Sequence, residues 1–206
     1  MGLLMMAMGS FVLVGAITPG PVNVLALRHG VTSGRGVAGA YVLGASVSYA
    51  AVVWLMGVGG EFVSGLPWVM HFARWSGAAY LLYLAWRLGS APVIEMNAQG
   101  RATRSAPLTS LMQEALTQGA LTQVLNPKAW VVALSGVSLF VLSQRDVSQA
   151  RWLFVAVSLL GCFLGVGSWA LVGRVLARWL TLPGRQRIFN VTMASVLALC
   201  VITMLG

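Results

Sequence analysis

Charged residues are scarce in this sequence. Of its 206 residues, 13 are Lys or Arg and 4 are Asp or Glu, which is 8% of the chain, whereas an ordinary soluble domain carries about 25%. So few charges cannot cover the surface that a protein of this size presents to water. Because 58% of the residues are hydrophobic and the mean hydropathy is +0.85, we exclude a soluble globular protein and expect most of the chain to face lipid.

Residues that could perform catalysis are also few. The two histidines, His29 and His71, lie near predicted helix ends, so no general base stands in mid-span to activate a serine. The sequence has no Cys/His cluster with metal-ligand spacing and no glycine-rich phosphate loop with a lysine, while Cys162 and Cys200 lie in mid-span, where an apolar role is expected. We therefore predict a protein that is not an enzyme and holds no metal or cofactor. The acidic residues all lie in predicted loops or at span ends, where they form no buried proton relay: Glu61, Glu95, Glu114 and Asp146.

Apolar stretches long enough to cross a membrane recur along the whole chain. A bilayer core about 30 Å thick needs about 20 apolar residues per helix, and the stretches lack the strict alternation of barrel strands. One of them would be about 48 Å long as a continuous helix, so it must break, and Asn126-Pro127 predicts where. The prediction is an all-α membrane protein with six transmembrane helices, at residues 3–27, 37–60, 66–86, 111–142, 153–173 and 188–205.

The basic residues predict the orientation of these helices. The formal net charge of +9 would suggest a nucleic-acid partner in a soluble protein, but here membrane topology explains it, and we expect no nucleic acid. The loops at 28–36, 87–116 and 174–187 share one side, and the positive-inside rule places them in the cytoplasm. Both termini are then outside. These three loops hold nine of the 13 basic residues: Arg28, Arg35, Arg87, Arg101, Arg104, Arg174, Arg178, Arg185 and Arg187.

The longest connection divides the chain into two halves. Residues 90–109 are rich in Pro, Ser, Thr, Ala and Arg and have no apolar periodicity, which predicts a cytoplasmic loop. It joins halves 1–89 and 110–206 of a single transmembrane transporter domain, residues 1–206. Since each half has three helices, two related halves would insert in opposite orientations, as in many secondary transporters. A short match between residues 15–18 and 119–122 agrees with such an inverted repeat.

The first helix contains a strong helix-breaking sequence. Thr18, Pro19, Gly20 and Pro21 are followed by Asn23, and the two prolines remove two backbone donors around the most flexible residue. Freed backbone groups at membrane depth are tolerated only inside protein or beside a wet cavity, which predicts a polar site or a hinge. A kink used only for packing is the alternative, because Pro and Gly are frequent in membrane helices.

The second break places a full charge beside a proline in the fourth helix. Gln123, Asn126 and Pro127 precede Lys128, whose insertion at mid-membrane costs about 2.5 to 3.5 kcal/mol. One hypothesis is that Lys128 binds the anionic group of a solute. The ends of the broken helices would then bind the carboxylate and the ammonium group of that solute, as an amino acid requires. The alternative is that Lys128 extends to a lipid headgroup.

These motifs resemble the LysE/RhtB family of bacterial amino-acid exporters. The matching blocks are T-P-G-P-V-N at 18–23, G-A-A-Y-L-L-Y-L at 77–84, and Gly119 followed by L-N-P-K-A at 125–129, in family order along essentially the whole chain. The resemblance implies a multi-pass exporter of small amino acids or their derivatives in the bacterial cytoplasmic membrane, driven by the proton gradient. It also implies six helices and a substrate site at the two breaks, formed by Thr18, Pro19, Gly20, Pro21, Asn23, Gln123, Asn126, Pro127 and Lys128.

The resemblance also bears on the substrate. Family members that export basic amino acids look as though they carry acidic residues in the second helix and shortly after the Asn-Pro of the fourth helix. The corresponding residues 44–48 and 129–132 of this chain include no acidic residue. We therefore expect a neutral amino acid, moved by alternating access, and as partners that substrate, membrane lipid and a second copy in a homodimer.

Two other functions stay open at the level of sequence. The chain could export another small solute or a metal ion such as cadmium, although it lacks a cage of charged ligands. It could also be a non-transporting membrane scaffold, because small residues recur every four positions in the second helix, as helix-packing stripes do. These are Gly36, Ala40, Gly44 and Ser48.

Overall fold

The computed structural model describes residues 2–64, 67–91 and 107–205, and within these ranges the chain forms eight α-helices and no strands. The predicted all-α fold is confirmed for this part of the chain. The helices are α1 (Gly2–Ile17), α2 (Pro21–Thr32), α3 (Arg35–Ser64), α4 (Pro67–Gly89), α5 (Leu108–Val124), α6 (Pro127–Phe140), α7 (Val147–Ala177) and α8 (Pro183–Leu205).

The six predicted segments coincide with these helices, and the chain leaves the helix at both predicted breaks. The first segment contains α1 and α2, which meet at a bend of 68°. The fourth contains α5 and α6, and the other four segments are α3, α4, α7 and α8. Among the described residues, three helices are long and apolar enough to cross a membrane, at 35–59, 147–177 and 183–202. The bent pair of α1 and α2 meets the same criteria as one broken span or a re-entrant loop.

Some helix boundaries differ from the prediction. Most of the predicted loop at 90–109 lies outside the described residues, but α5 already begins at Leu108, directly after Pro107. Helix α8 begins at Pro183, five residues before the predicted span, because proline is well suited to the first turn of a helix, where its missing N–H is not needed. Helix α3 continues to Ser64 across a kink at Gly59.

Glycines allow the helices to approach one another closely. A Cβ added at Gly44 of α3 would lie 2.1 Å from the carbonyl oxygen of Leu116 in α5, and one at Gly30 of α2 would lie 2.0 Å from that of Ala170 in α7. No side chain fits in such a gap, so these positions require glycine. The predicted packing stripe of the second helix is therefore used at Gly44 within this chain.

The helices on either side of each break pack against the same two long helices, and Thr18 and Pro19 of the first break are exposed. The long helices α3 and α7 pack against each other. Helices α1 and α2 pack along α7, helices α5 and α6 pack along α3, and α4 packs against α8. The two breaks therefore face the region where α3 and α7 meet.

Candidate functional site

The first break is held open by side chains that bind its freed carbonyl groups. Gly20 has an extended backbone, and Pro21 begins α2 without a side-chain cap. The amide Nδ2 of Asn23 donates to two carbonyl oxygens, at 2.9 Å to Ala16 and 2.8 Å to Thr18. Asn23 is only 4% exposed, so its position is fixed in the interior. This explains why an asparagine follows the Pro-Gly-Pro sequence.

The second break is a compact turn that satisfies most of its own backbone. The N–H of Leu125 donates to Leu121 O at 2.9 Å, which ends α5. Asn126 then caps α6, since its Oδ1 accepts from the backbone N–H of Lys128 at 3.2 Å, and Pro127 is the first residue of the helix. The pattern Asn-Pro is therefore a helix start, in which a side-chain oxygen replaces the missing acceptor of the first turn.

Lys128 joins the two breaks. Its Nζ donates to the carbonyl oxygen of Thr18 at 3.1 Å, across 110 positions in the sequence. The side chain is half-buried and lines the space between the breaks. In this conformation its ammonium group is directed at the other break.

A small cavity lies between the two breaks. Its volume is about 40 Å³, and since one water molecule needs about 10–15 Å³ on this scale, it has room for about three waters. The site must widen to admit an amino acid. Six of the nine predicted site residues line the cavity: Thr18, Gly20, Asn23, Gln123, Asn126 and Lys128. The other three, Pro19, Pro21 and Pro127, are not among its lining residues.

Sequence reasoning missed the walls that α3 and α7 contribute. Tyr49 of α3 and Cys162 and Val166 of α7 line the cavity. Each is buried in an apolar helix and looks like an ordinary core residue in the sequence. We had assigned Cys162 only an apolar role. No local motif marks these positions, because only the packing of α3 against α7 brings them to the breaks.

The polar groups of the cavity differ in charge and in hydrogen-bonding character. Lys128 is the one charged side chain among the lining residues that the structure describes, and no carboxylate joins it there. The Oδ1 atom of Asn23 is buried and accepts no hydrogen bond from any described residue. A buried acceptor without a donor is costly, and it is a natural partner for a ligand N–H. The cavity thus contains one cation, and one of its lining residues, Asn23, has a buried acceptor atom that no described residue uses.

The rest of the lining suits a small, uncharged group. Gly15, Ala16, Val22, Ala129 and Val132 complete the wall. Across the described residues, no group of three His, Cys, Asp or Glu side chains could hold a metal ion. The described lining therefore combines one positive charge with small and apolar groups, and it includes no carboxylate.

Comparison with known proteins shows the family of the chain. The family model for LysE type translocators matches residues 13–205. The chain belongs to this family. It is 31% identical over 204 residues to the cysteine/O-acetylserine efflux protein of Escherichia coli O157:H7 and 30% identical over 202 residues to that of Escherichia coli strain K12. Each alignment covers 97% of this chain and 96% of the relative. A similar efflux protein of Salmonella choleraesuis is 30% identical over 205 residues, with the same coverage. No solved structure matches the chain.

Family membership confirms the class that the sequence predicted. The chain is a LysE-type membrane transporter with several apolar helices, and it is not an enzyme. The breaks and Lys128 belong to the part of the chain that the family model covers.

Proposed function

We propose that the chain is a secondary exporter of small neutral amino acids or their derivatives across the cytoplasmic membrane. The observation that carries the proposal is the cavity between the breaks, which is lined by Lys128 and by Asn23, whose Oδ1 has no partner among the described residues, and by no carboxylate. Lys128 binds the substrate carboxylate, and Asn23 accepts from its ammonium group. The relatives named as cysteine/O-acetylserine efflux proteins support a substrate of this size and charge.

The walls of the cavity account for the expected preference. A lysine or arginine substrate would bring a second positive charge next to Lys128 with no carboxylate to balance it. The small residues Gly15, Ala16 and Ala129 leave space for a short side chain, with Tyr49 and Cys162 on the opposite helices. Cysteine, serine and O-acetylserine are therefore the substrates we expect.

The pairing of helices supports the six-span, inverted-repeat architecture within a single domain of residues 1–206. Helix α3, which follows the first break, packs on α5, and α7, which follows the second break, packs on α1. In the same way α2 packs on α7 and α6 packs on α3, while α4 and α8 pack on each other. If α1 to α4 of the half 1–89 correspond in order to α5 to α8 of the half 110–206, each of these contacts has an equivalent contact in the other half. We propose that both termini lie outside, as the distribution of arginines predicts.

Alternating access requires contacts between the halves that can open and close. Two contacts join the halves in this way: the bond from Lys128 to Thr18 O, and the pair formed by His29 Nε2 and Gln118 Oε1 at 2.8 Å. Substrate that takes the place of Thr18 O at Lys128 would loosen the first contact and let the halves rock. In this proposal the proton gradient drives the cycle, as the resemblance to the family implies.

The alternative functions receive no comparable support. A metal ion would need ligands that the described residues do not bring together. A scaffold would keep its small-residue stripe free for partners, whereas Gly44 is already covered by α5 of the same chain.

Substrate binding can be tested on the purified protein in detergent by thermal unfolding with a panel of amino acids. We expect cysteine, serine or O-acetylserine to raise the unfolding temperature, and lysine and aspartate to have no effect. At a hundredfold excess over its dissociation constant, a ligand stabilises the folded state by about 2.7 kcal/mol.

Two variants control this experiment. Lys128→Ala should lose the stabilisation, whereas Arg178→Ala, which removes an exposed basic side chain at the C-terminal end of α7, should keep it. The proposal is wrong if no amino acid stabilises the protein, or if the Lys128→Ala variant responds as the unmutated chain does.

A further inference from the structure

A second, larger cavity lies between α4 and α5. Its volume is about 460 Å³, more than ten times that of the cavity between the breaks, and it is open to the surroundings. Helices α4 and α5 touch at few points, so they leave a gap along their facing sides. The gap is lined by Tyr80, Tyr83, Leu84 and Arg87 of α4 and by Ser110, Gln113, Glu114, Thr117, Gln118 and Leu121 of α5.

The α5 side of this cavity is a polar stripe. Five polar residues of α5 are spaced three or four positions apart or adjacent, which places them on one face of the helix. They are Ser110, Gln113, Glu114, Thr117 and Gln118. Thr117 stands about 13 Å along the axis from the start of α5. In a membrane-spanning helix such polar groups face protein or a water-filled cavity, because lipid offers them no hydrogen bonds. The stripe therefore indicates water between α4 and α5.

The cavity carries both signs of charge. Arg87 Nη2 and Glu114 Oε1 lie 3.8 Å apart, and their side chains are 55% and 62% exposed. An ion pair as exposed as this one contributes little to stability, so either partner can exchange the other for a ligand at small cost. Arg87 fits a carboxylate and Glu114 fits an ammonium group, which are the two ends of a free amino acid.

A thin polar layer separates this cavity from the one between the breaks. Gln118 bonds to His29, whose ring stacks on Tyr41 at a centroid distance of 4.7 Å. The hydroxyl of Tyr41 donates to Val22 O at 3.1 Å, and that of Thr122 donates to the backbone oxygen of Gln118 at 2.7 Å. The residue after Thr122 is Gln123, which lines the central cavity. Gln118 lines the larger cavity and Gln123 lines the smaller one, so α5 contributes to the walls of both.

We propose that the cavity between α4 and α5 is a water-filled vestibule that captures the amino acid on the cytoplasmic side, with Arg87 and Glu114 as its first contacts. This inference rests on the proposed exporter function and on α5 lying within the membrane. It assigns substrate recognition to a place other than the two breaks. The layer formed by His29, Tyr41 and Thr122 then separates capture from the central site.

Water in the vestibule can be tested with a matched pair of cysteine variants. Thr117→Cys places a thiol in the cavity, and Leu116→Cys places one at nearly the same depth on a side chain that is 41% exposed but does not line the cavity. A negatively charged, membrane-impermeant thiosulfonate is added to inside-out and to right-side-out vesicles. Labelling at each position is read by peptide mass spectrometry, so the native cysteines need not be removed.

The proposal predicts that Thr117→Cys reacts at least ten times faster than Leu116→Cys, and only in inside-out vesicles. If neither position reacts, α5 lies in the membrane but the vestibule is dry, and the inference is overturned while the exporter proposal stands. If both react equally, α5 lies in water, and both the vestibule and the six-span arrangement are wrong.

Substrate capture can be tested by transport into inside-out vesicles with radiolabelled serine as the probe. The double variant Arg87→Gln/Glu114→Gln should raise KM about fivefold with Vmax unchanged, because it removes two exposed charge contacts. The control is Arg145→Gln/Asp146→Asn, which removes one charge of each sign from the connection between α6 and α7. An unchanged KM in the first variant overturns the capture role. Absence of serine uptake by the unmutated protein, together with no uptake of cysteine or O-acetylserine, contradicts the exporter proposal itself.

Discussion

The first break, at residues 18–20, and the second, at 125–126, satisfy their backbone groups in different ways. At the first, the carbonyls of Ala16, Ile17 and Thr18 accept hydrogen bonds from side chains, including Trp169 of α7 at 3.1 Å to Ile17 and Lys128 of α6 to Thr18. At the second, the turn is closed by backbone bonds and by Asn126. Its one added contact, from Trp130 to Val124 O at 2.7 Å, comes from the adjoining helix.

This difference suggests how the two halves divide their tasks. Asn23 of the first half and two side chains of the second half, Lys128 and Trp169, bind the first break, so a relative movement of the halves changes the bonds from Lys128 and Trp169. The second break depends on residues within a few positions of itself and can move as a unit with Lys128. We therefore regard the first break as the part that responds to motion and the second as the rigid support of the charge.

The largest expected effect comes from the two asparagines, which can be compared directly. Asn23→Ala removes two hydrogen bonds and leaves two carbonyls without these partners, so we expect a loss of about 2 kcal/mol and of most export activity. Asn126→Ala removes a helix cap and should cost about 1 kcal/mol. Chemical denaturation in mixed micelles measures the loss of folding free energy of each variant. Export by cells measures the loss of activity.

The comparison fails if Asn126→Ala is the more damaging of the two. In that case the second break depends on its cap more than the first depends on its bridging asparagine. Asn23→Gln is a useful third variant, because it keeps the amide but places it one methylene further from the two carbonyls.

A smaller effect is expected from the two tryptophans. Trp169→Phe and Trp130→Phe each remove one indole N–H donor while keeping an aromatic ring. Hydrogen bonds between membrane helices contribute about 0.6 kcal/mol on average, so neither variant should unfold the protein. We expect Trp169→Phe to slow export several-fold, because its bond joins α7 to the first break, and Trp130→Phe to leave the rate nearly unchanged.

Export rates at matched protein levels in the membrane decide this point. Equal rates for the two tryptophan variants would mean that the bond to Ile17 O has no part in the transport cycle. The division of tasks between the breaks would then lose its main structural support.

Much of this architecture could be predicted because proline and glycine act locally. The sequence Pro19-Gly20-Pro21 interrupts a helix, and Asn126-Pro127 starts one, so both breaks were predicted at the correct residues. A charged residue within an apolar segment needs a partner, and this requirement identified Lys128 as a candidate site residue. These signals lie within a few residues of the feature they predict.

The remaining contacts could not be predicted, because they depend on packing. Nothing near Trp169 indicates that it reaches Ile17, and nothing near Thr18 indicates that its carbonyl receives Lys128. Tyr49 and Cys162 look like core residues until α3 and α7 bring them to the cavity. The start of α5 at Leu108 was also missed, because polar residues in its first turns resemble a loop.

The most direct measurement of the central claim is amino-acid release from cells that express the chain and have been loaded with dipeptides. Intracellular peptidases supply each free amino acid, and the medium is analysed over time for the unmutated protein, Lys128→Ala and Arg178→Ala at equal membrane levels. We predict faster release of one or a few small neutral amino acids with the unmutated protein and with Arg178→Ala, and no increase with Lys128→Ala. Equal release of every amino acid with or without the protein, or full activity of Lys128→Ala, would contradict a site in which Lys128 holds the substrate between the two breaks.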